Sequence, residues 1–222
     1  MPGAIVFEFP AFFFGGLWLT IQVSVLGLLG ALILGTLVAL LRVSPIRPLG
    51  WVGAAYVEFF RNTPLVVQLF FLFLGLPLLG IRFAAETFDD IFRVACVGMA
   101  LYHGAYVAEV VRGGLLGIDR GQIEAARSLG LSYLQTLREV QLPLTFRAII
   151  PPLGNIAIAL VKNTSLASTI GLAELLGAAE VVETRTFRAE EAFGAATLLY
   201  LALTLPLGGL VNVLERRLLV AR

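Results

Sequence analysis

One cysteine, one histidine and a small share of charged residues set the first limits on what this chain can do. Cys96 has no second cysteine to pair with, which excludes a disulfide within the chain and a cysteine-type metal site. His103 alone is too little for a histidine-based metal site or a catalytic triad. A GxxxxGK phosphate-binding loop is also absent, so the chain has no P-loop for a nucleotide. We therefore expect no catalytic residue, no metal and no cofactor in this chain.

The charge is nearly balanced, with 16 Lys and Arg against 15 Asp and Glu. No basic run is long enough to indicate nucleic acid as a partner. A cleavable signal peptide is not expected either. No Lys or Arg precedes the first apolar run, and that run is too long for the apolar part of a signal sequence.

Apolar residues dominate what remains, at 59% hydrophobic and 14% charged with a mean hydropathy of +0.92. This composition predicts an all-α polytopic membrane protein, a single domain over residues 1–222 surrounded by membrane lipid. About five transmembrane helices are predicted: residues 12–41, 54–79, 91–111, a span from 143 that is interrupted at Pro151, Pro152 and Gly154, and 193–214. Residues 82–90 and 180–191 are predicted as loops, and 165–176 as a short re-entrant or interfacial helix.

Small residues recur every four positions in the first span, at Gly27, Ala31 and Gly35. Such a ridge is typical of helices that pack closely in a membrane. A glycine-rich composition alone would also produce it, so both interpretations stay open.

The segment 117–143 has the pattern of water-soluble amphipathic helices between two apolar spans. Asp119 with Gln122, and Ser132 with Gln135, match the capping-box pattern that begins a helix. Gly130 lies between them, where a left-handed residue would end the first helix, and Pro143 is expected to end the second. We predict a helix, a sharp glycine turn and a second helix that project into water and contact a partner.

Arginines are distributed unevenly between the two sides of the predicted spans. Ten of them lie in the segment 117–143 and its flanks, in the turn after the first span and in the carboxyl-terminal tail, against four in the opposite loops. The positive-inside rule then predicts a cytoplasmic segment 117–143 and carboxyl terminus, and an amino terminus on the outside.

Several polar side chains fall inside or next to the predicted spans. Glu58 and Arg61 share one helix face, where a structural pair near the headgroups or the lining of a polar pathway are both consistent with the spacing. Glu109 shares a face with Tyr106 and can pair with Arg112. His103 next to that face suits a hydrogen-bonded packing role more than ligand contact. Lys162 is either functional or reaches the far interface.

The segment 117–143 also resembles a known sequence motif. Glu124-Ala125-Ala126, three residues, Gly130, nine residues and Val140-Gln141-Leu142-Pro143 match EAA-x3-G-x9-I-x-LP, the EAA motif of ABC importer permeases, with Val140 in place of isoleucine. Further stretches resemble the polar amino acid branch, the His/Glu/Gln/Arg/opine permeases: Leu19-Thr20 with the span to Arg42, EFFRNTPLVVQ at 58–68, AYVAEVVRGG at 105–114 and KNTSL at 162–166. The similarity covers essentially the whole chain.

The resemblance implies a type I ABC importer permease fold (MetI-like) in the bacterial cytoplasmic (inner) membrane. It implies three kinds of partner: cytoplasmic ABC ATPase subunits that bind ATP and Mg, an extracytoplasmic amino acid-binding protein, and a second permease, either another copy or a related chain. The ATPase-coupling residues would be Glu124, Ala125, Ala126, Gly130, Leu142 and Pro143, within the coupling segment 117–143.

The substrate would be a polar amino acid. The polar residues able to line its path are Glu58, Arg61, Tyr106, Glu109, Asn155, Lys162, Asn163 and Thr164. No carboxylate lies between Glu139 and Glu174, which favours a neutral or acidic amino acid over arginine or lysine. The alternatives are a secondary transporter driven by an ion gradient and an ABC permease for a different small solute.

Overall fold

The computed structural model describes residues 2–81 and 88–219, and the regular structure within these ranges is helical throughout. The α-helices are α1 Pro2–Glu8, α2 Pro10–Val43, α3 Arg47–Asn62, α4 Leu65–Phe70, α5 Leu76–Leu78, α6 Phe88–Leu116, α7 Arg120–Ser128, α8 Tyr133–Thr136, α9 Leu142–Asn163, α10 Leu175–Thr186 and α11 Ala189–Leu219. Two π-helical turns, Phe71–Gly75 and Leu137–Gln141, and a 3₁₀ segment, Thr164–Ile170, connect some of them. The predicted loop at 82–90 lies mostly outside the described residues.

Four helical stretches of the described chain are long and apolar enough to cross a membrane: Pro10–Val43, Asp90–Leu116, Tyr133–Ile170 and Ala189–Leu218. A bent pair, Arg47–Asn62 with Leu65–Leu78, makes five when it is counted as one span. The all-α, polytopic prediction with about five spans is therefore confirmed. At about 1.5 Å per residue, α2 alone is about 50 Å long, more than the hydrocarbon core requires.

The span predicted over residues 54–79 is present as the bent pair, and the chain turns by 106° between α3 and α4, a bend that the prediction did not include. Thr63 precedes a proline and has extended backbone angles, φ −113° and ψ 140°, which end α3. The side chain of Gln68 then donates to the carbonyl oxygens of Phe60 and Thr63 at 3.0 and 3.1 Å. The carbonyl groups that have no helical donor at the break thus accept hydrogen bonds from Gln68 inside the protein, as a bend at membrane depth requires.

The ridge of small residues on α2 packs against α6, which decides between its two interpretations. Gly27, Ala31 and Gly35 are all buried. A Cβ atom at Gly27 would lie 2.8 Å from the Cβ of Met99, and one at Gly35 would lie 2.6 Å from the carbonyl oxygen of Gly104. Both distances are too short for a side chain, so glycine at these positions sets the closeness of the α2–α6 contact.

Helix α9 runs without a break through Pro151 and Pro152, so the predicted interruption of the fourth span was wrong. Pro143 does not end the preceding helix either: the π-helical turn Leu137–Gln141 joins α8 to α9. A π turn shifts the backbone bonding pattern just before Pro143, which has no N–H to contribute. In a membrane the remaining helical bonds and neighbouring helices can hold such a helix together, whereas sequence rules from water predict a stop.

The region between α9 and α11 is more helical than predicted. The 3₁₀ segment ends at Gly171, whose φ of 92° turns the chain toward α10. Helix α10 extends through most of the predicted loop at 180–191, leaving Phe187 and Arg188 as its connection to α11. Arg188 forms ion pairs with Glu191 and Glu8, both at 2.6 Å, which ties α1 to this corner. Donation to Glu191 and Glu8 raises the pKa of the Arg188 side chain.

Candidate functional site

The segment 117–143 folds as two short helices joined by a turn, as predicted. Asp119 begins α7, but its carboxylate accepts from the backbone N–H of Gly121 at 2.8 Å, so the expected partnership with Gln122 is replaced by a simple N-cap. Ser132 and Gln135 form a complete capping box at the start of α8. Both helix starts are thus determined by side chains within four residues of them.

Gly130 closes α7 in the left-handed conformation, with φ at 87°. Its N–H donates to the carbonyl oxygen of Arg127 at 2.9 Å, and the N–H of Leu131 donates to that of Ala126 at 3.3 Å. These two bonds form a Schellman motif. No atom lies within 4 Å of the position that a Cβ would take at Gly130, so backbone conformation and not space explains the glycine.

The turn presents a mixed apolar and acidic surface to solvent, which we call the coupling surface: Glu124, Ala125, Leu129, Tyr133 and Leu134. Leu129 is 82% exposed and Leu134 is 70% exposed. Ala126 is buried and packs inside the chain, so of the two alanines only Ala125 is available to a partner. Leu142 and Pro143 are exposed at the beginning of α9. Exposed apolar side chains in a turn that also carries charged residues are typical of a contact site.

A cavity of about 820 Å³ lies between the segment 117–143 and the ends of the long helices. Its lining includes Gly113, Gly117, Asp119, Arg147 and Glu215. It therefore joins the start of α7 to α6, α9 and α11. In the described ranges no three His, Cys, Asp or Glu side chains are grouped so that they could hold a metal ion.

Near the ends of α2 and α6, the predicted path residue Glu109 is held by two arginines. Arg42 of α2 forms an ion pair with it, and Arg112 donates to its second carboxylate oxygen at 2.9 Å. The predicted pairing of Glu109 with Arg112 is confirmed. A carboxylate that two arginines neutralise is poorly suited to bind a substrate ammonium group, so Glu109 in this conformation has a structural role.

Glu58 and Arg61 lie on the same helix but have other partners. Asn62 donates to the Glu58 carboxylate at 2.8 Å, and the Arg61 guanidinium lies 5.4 Å from the centroid of the Tyr106 ring. Tyr106 also shares a hydrogen bond of 3.0 Å with Tyr102. The structure thus brings together the exposed Arg61 of α3 and the half-buried Tyr106 of α6, both of the predicted path, through a cation–π contact.

The remaining predicted path residues lie on α9 and just after it. Asn155 and Lys162 are exposed, and Asn163 is half-buried with its amide nitrogen 3.1 Å from His103 Nε2. Thr164 is fully buried, and its hydroxyl donates to the carbonyl oxygen of Val161 at 2.8 Å. Thr164 therefore supports the backbone here and does not line an open path in this conformation. The predicted hydrogen-bonded packing role of His103 is confirmed.

Sequence reasoning missed a buried polar cluster around Glu174, which has no exposed surface. Its carboxylate accepts from the backbone N–H groups of Leu176 and Gly177 at 2.9 and 3.1 Å, from the Thr20 hydroxyl at 3.2 Å and from the Tyr200 hydroxyl. The cluster joins α2, α10 and α11. A single glutamate directly before an apolar helix was the available signal, since a carboxylate at that position can accept from the first backbone N–H groups of the helix.

Comparison with known proteins agrees with this architecture. Residues 31–220 match the family model described as "Binding-protein-dependent transport system inner membrane component". The chain is 38% identical over 215 residues to a probable glutamine ABC transporter permease protein of Bacillus subtilis, covering 97% of both chains. It is 40% identical to a glutamate transport system permease protein of Corynebacterium glutamicum, covering 96% of this chain and 94% of the relative.

Among solved structures, a chain from the crystal structure of an amino acid ABC transporter with histidines superposes with a TM-score of 0.88 at 32% identity. The superposition covers 96% of this chain and 97% of that one. Sequence family, relatives and fold agree over nearly the full length, and this chain belongs to the inner membrane components of binding-protein-dependent transport systems, the permeases of ABC importers.

Proposed function

We propose that this chain carries a polar amino acid, a glutamine- or glutamate-like substrate, across the cytoplasmic membrane, driven by a separate ATPase. The observation that supports this most directly is the coupling surface: a rigid helix–glycine–helix turn with exposed apolar side chains between two spans. A gradient-driven carrier would have no use for such a surface.

The partner ATPase binds the coupling surface in this proposal, and ATP and Mg are bound there and not in this chain. Leu129, Tyr133 and Leu134 supply apolar contact, while Glu124 supplies a carboxylate for a charged or backbone donor. The Schellman turn at Gly130 fixes the angle between α7 and α8, so closure of the ATPase can move α9 as a rigid body.

For the substrate, the proposed path runs along the exposed polar groups of α3, α6 and α9. A free amino acid needs a cation for its carboxylate and hydrogen-bond acceptors for its ammonium group. Lys162, Arg61 and the side chain of Asn163 can supply these groups. The relatives named for glutamine and glutamate transport agree with the preference for neutral or acidic amino acids.

Two further partners complete the proposed transporter. A binding protein delivers the amino acid on the outer side, where α10 meets α11. A second permease, identical or related, provides the other wall of the path.

The orientation is proposed with the coupling surface in the cytoplasm and the Phe187 corner outside. Leu129 and Phe187 are exposed at 82% and 86%, so cysteine at either position is accessible to reagents. In a Cys96→Ala background, we expect a membrane-impermeant maleimide to label Phe187→Cys in intact cells and Leu129→Cys only after permeabilisation. The opposite labelling pattern would refute the orientation without affecting the transport proposal.

The transport proposal is tested in proteoliposomes that contain the complete complex of this chain and its co-purified ATPase. We expect one binding protein loaded with glutamine or glutamate to stimulate both ATP hydrolysis and uptake of the labelled amino acid severalfold. No stimulation by any loaded binding protein, together with uptake that follows an imposed ion gradient, would contradict the proposal and favour a secondary transporter.

A further inference from the structure

His103 forms a buried connection between α6 and the end of α9. Its ring is 2% exposed, with Nδ1 at 3.0 Å from the carbonyl oxygen of Met99 and Nε2 at 3.1 Å from Nδ2 of Asn163. The Tyr102 ring stands edge-on to the imidazole at 5.1 Å between centroids, which limits rotation of the ring. His103 thus reaches from the middle of one span to a predicted path residue on another.

The hydrogen-bond chemistry of these three groups allows one arrangement of the neutral ring. A backbone carbonyl oxygen can only accept, so the N–H of the imidazole must be on Nδ1. Nε2 is then an acceptor, and its partner must be a donor. Of the two ends of the Asn163 amide, only the NH₂ group can donate.

Rotating the Asn163 amide by half a turn would bring its oxygen against Nε2, so that two acceptors would face each other without a proton between them. At a site this buried, leaving that hydrogen bond unmade is costly. The amide of Asn163 is therefore held with Nδ2 toward His103 and Oδ1 away from it. Within residues 2–81 and 88–219, His103 is the hydrogen-bond partner of the Asn163 side chain, so Oδ1 stays available to a ligand.

We infer that His103 is a positioning residue: it orients the Asn163 amide so that Oδ1 accepts a hydrogen bond from the ammonium group of the transported amino acid. The inference rests on the proposed function and names a determinant of the same path. Lys162, the residue directly before Asn163, is exposed and supplies the positive charge for the substrate carboxylate. His103 itself does not touch the substrate.

The test is a double-mutant cycle in proteoliposomes of the complete transporter, with glutamine-loaded binding protein and labelled glutamine as the probes. The quantity measured is glutamine taken up per ATP hydrolysed. We expect His103→Phe, which keeps a ring but removes both nitrogens, to lower this ratio about 3- to 10-fold, as one lost hydrogen bond predicts. Asn163→Ala should lower it by a similar factor, and the double variant should be no worse than either single one.

Tyr56→Phe is the matched control, because it also removes one side-chain hydrogen bond to α6. In the native chain the Tyr56 hydroxyl donates to the carbonyl oxygen of Leu101 at 2.6 Å, and this bond does not involve Asn163. A purely structural role for His103 would lower ATP hydrolysis and uptake together and leave the ratio unchanged, as we expect for Tyr56→Phe. The concentration of loaded binding protein that gives half-maximal uptake should stay the same in all variants.

Two further variants keep the test decisive if His103→Phe does not assemble. His103→Gln retains one donor and one acceptor and should restore most of the ratio. Asn163→Leu removes both ends of the amide with His103 unchanged, and should lower the ratio as His103→Phe does. A native ratio in Asn163→Leu or His103→Phe overturns the inference alone, whereas a native complex without glutamine uptake overturns the proposed function and the inference with it.

Discussion

Replacing Gly130 by valine is expected to reduce binding-protein-stimulated ATP hydrolysis and uptake by more than tenfold while the transporter still assembles. At φ 87° a β-branched residue is strained, and a left-handed conformation costs an L-residue about 1–2 kcal/mol. The strain favours turns in which α7 and α8 meet at another angle, so Glu124 and Leu134 would no longer lie in the relative positions that the proposed contact with the ATPase requires. The measurement compares stimulated hydrolysis and uptake in proteoliposomes of native and variant complexes.

Gly130→Asn provides the matched control, since asparagine tolerates the left-handed region far better than valine. The space around this position is open, so neither side chain is excluded by size. We expect the asparagine variant to retain most of the stimulated activity. Equal losses in both variants would show that a side chain of any kind is harmful here, for instance at a contact with the ATPase, and that backbone conformation is not the cause.

The parts of this protein that local chemistry determines could be predicted from its sequence. The capping box of Ser132 and Gln135 and the left-handed Gly130 depend on residues within a few positions of each other, and the structure has both. The number and helical nature of the spans follow from apolar length, because a membrane leaves a polypeptide few other ways to satisfy its backbone.

Helix continuity was the weaker part of the prediction, because it depends on the surroundings. Pro64 breaks a span where Gln68 can take over the open carbonyl groups, whereas Pro151 and Pro152 are accommodated within α9. The residues next to these prolines do not distinguish the proline that ends a helix from the two that a helix accommodates. Partner choice was equally hard to predict: Glu109 lies three residues from Arg112, but its other arginine, Arg42, is on a different helix.

The cluster at Glu174 lies beyond any local rule, since its partner Thr20 is 154 residues away in sequence and Tyr200 is 26 away. Because Glu174 is fully buried, we expect its replacement to have a large effect on the stability of the protein. Glu174→Leu removes the acceptor of two backbone N–H groups and two hydroxyl groups at a site with no exposed surface. Each buried donor that is left unsatisfied costs about 1–3 kcal/mol.

We therefore expect Glu174→Leu to lower the thermal stability of the detergent-purified transporter strongly, or to prevent its accumulation in the membrane. Tyr200→Phe removes one donor and keeps the others, so its loss should be the smaller, about 1 kcal/mol. Glu174→Gln keeps one oxygen for the N-cap of α10, and its loss of stability should fall between those of the other two variants.

The measurement is the melting temperature from fluorescence-detected size-exclusion chromatography. Glu180→Leu is the control, with the same exchange on the exposed side of α10, where a single donor among the described residues, the Ser168 hydroxyl, bonds to the carboxylate. If both leucine variants melt alike, the four bonds to Glu174 do not hold α2, α10 and α11 together, and apolar packing among these helices suffices.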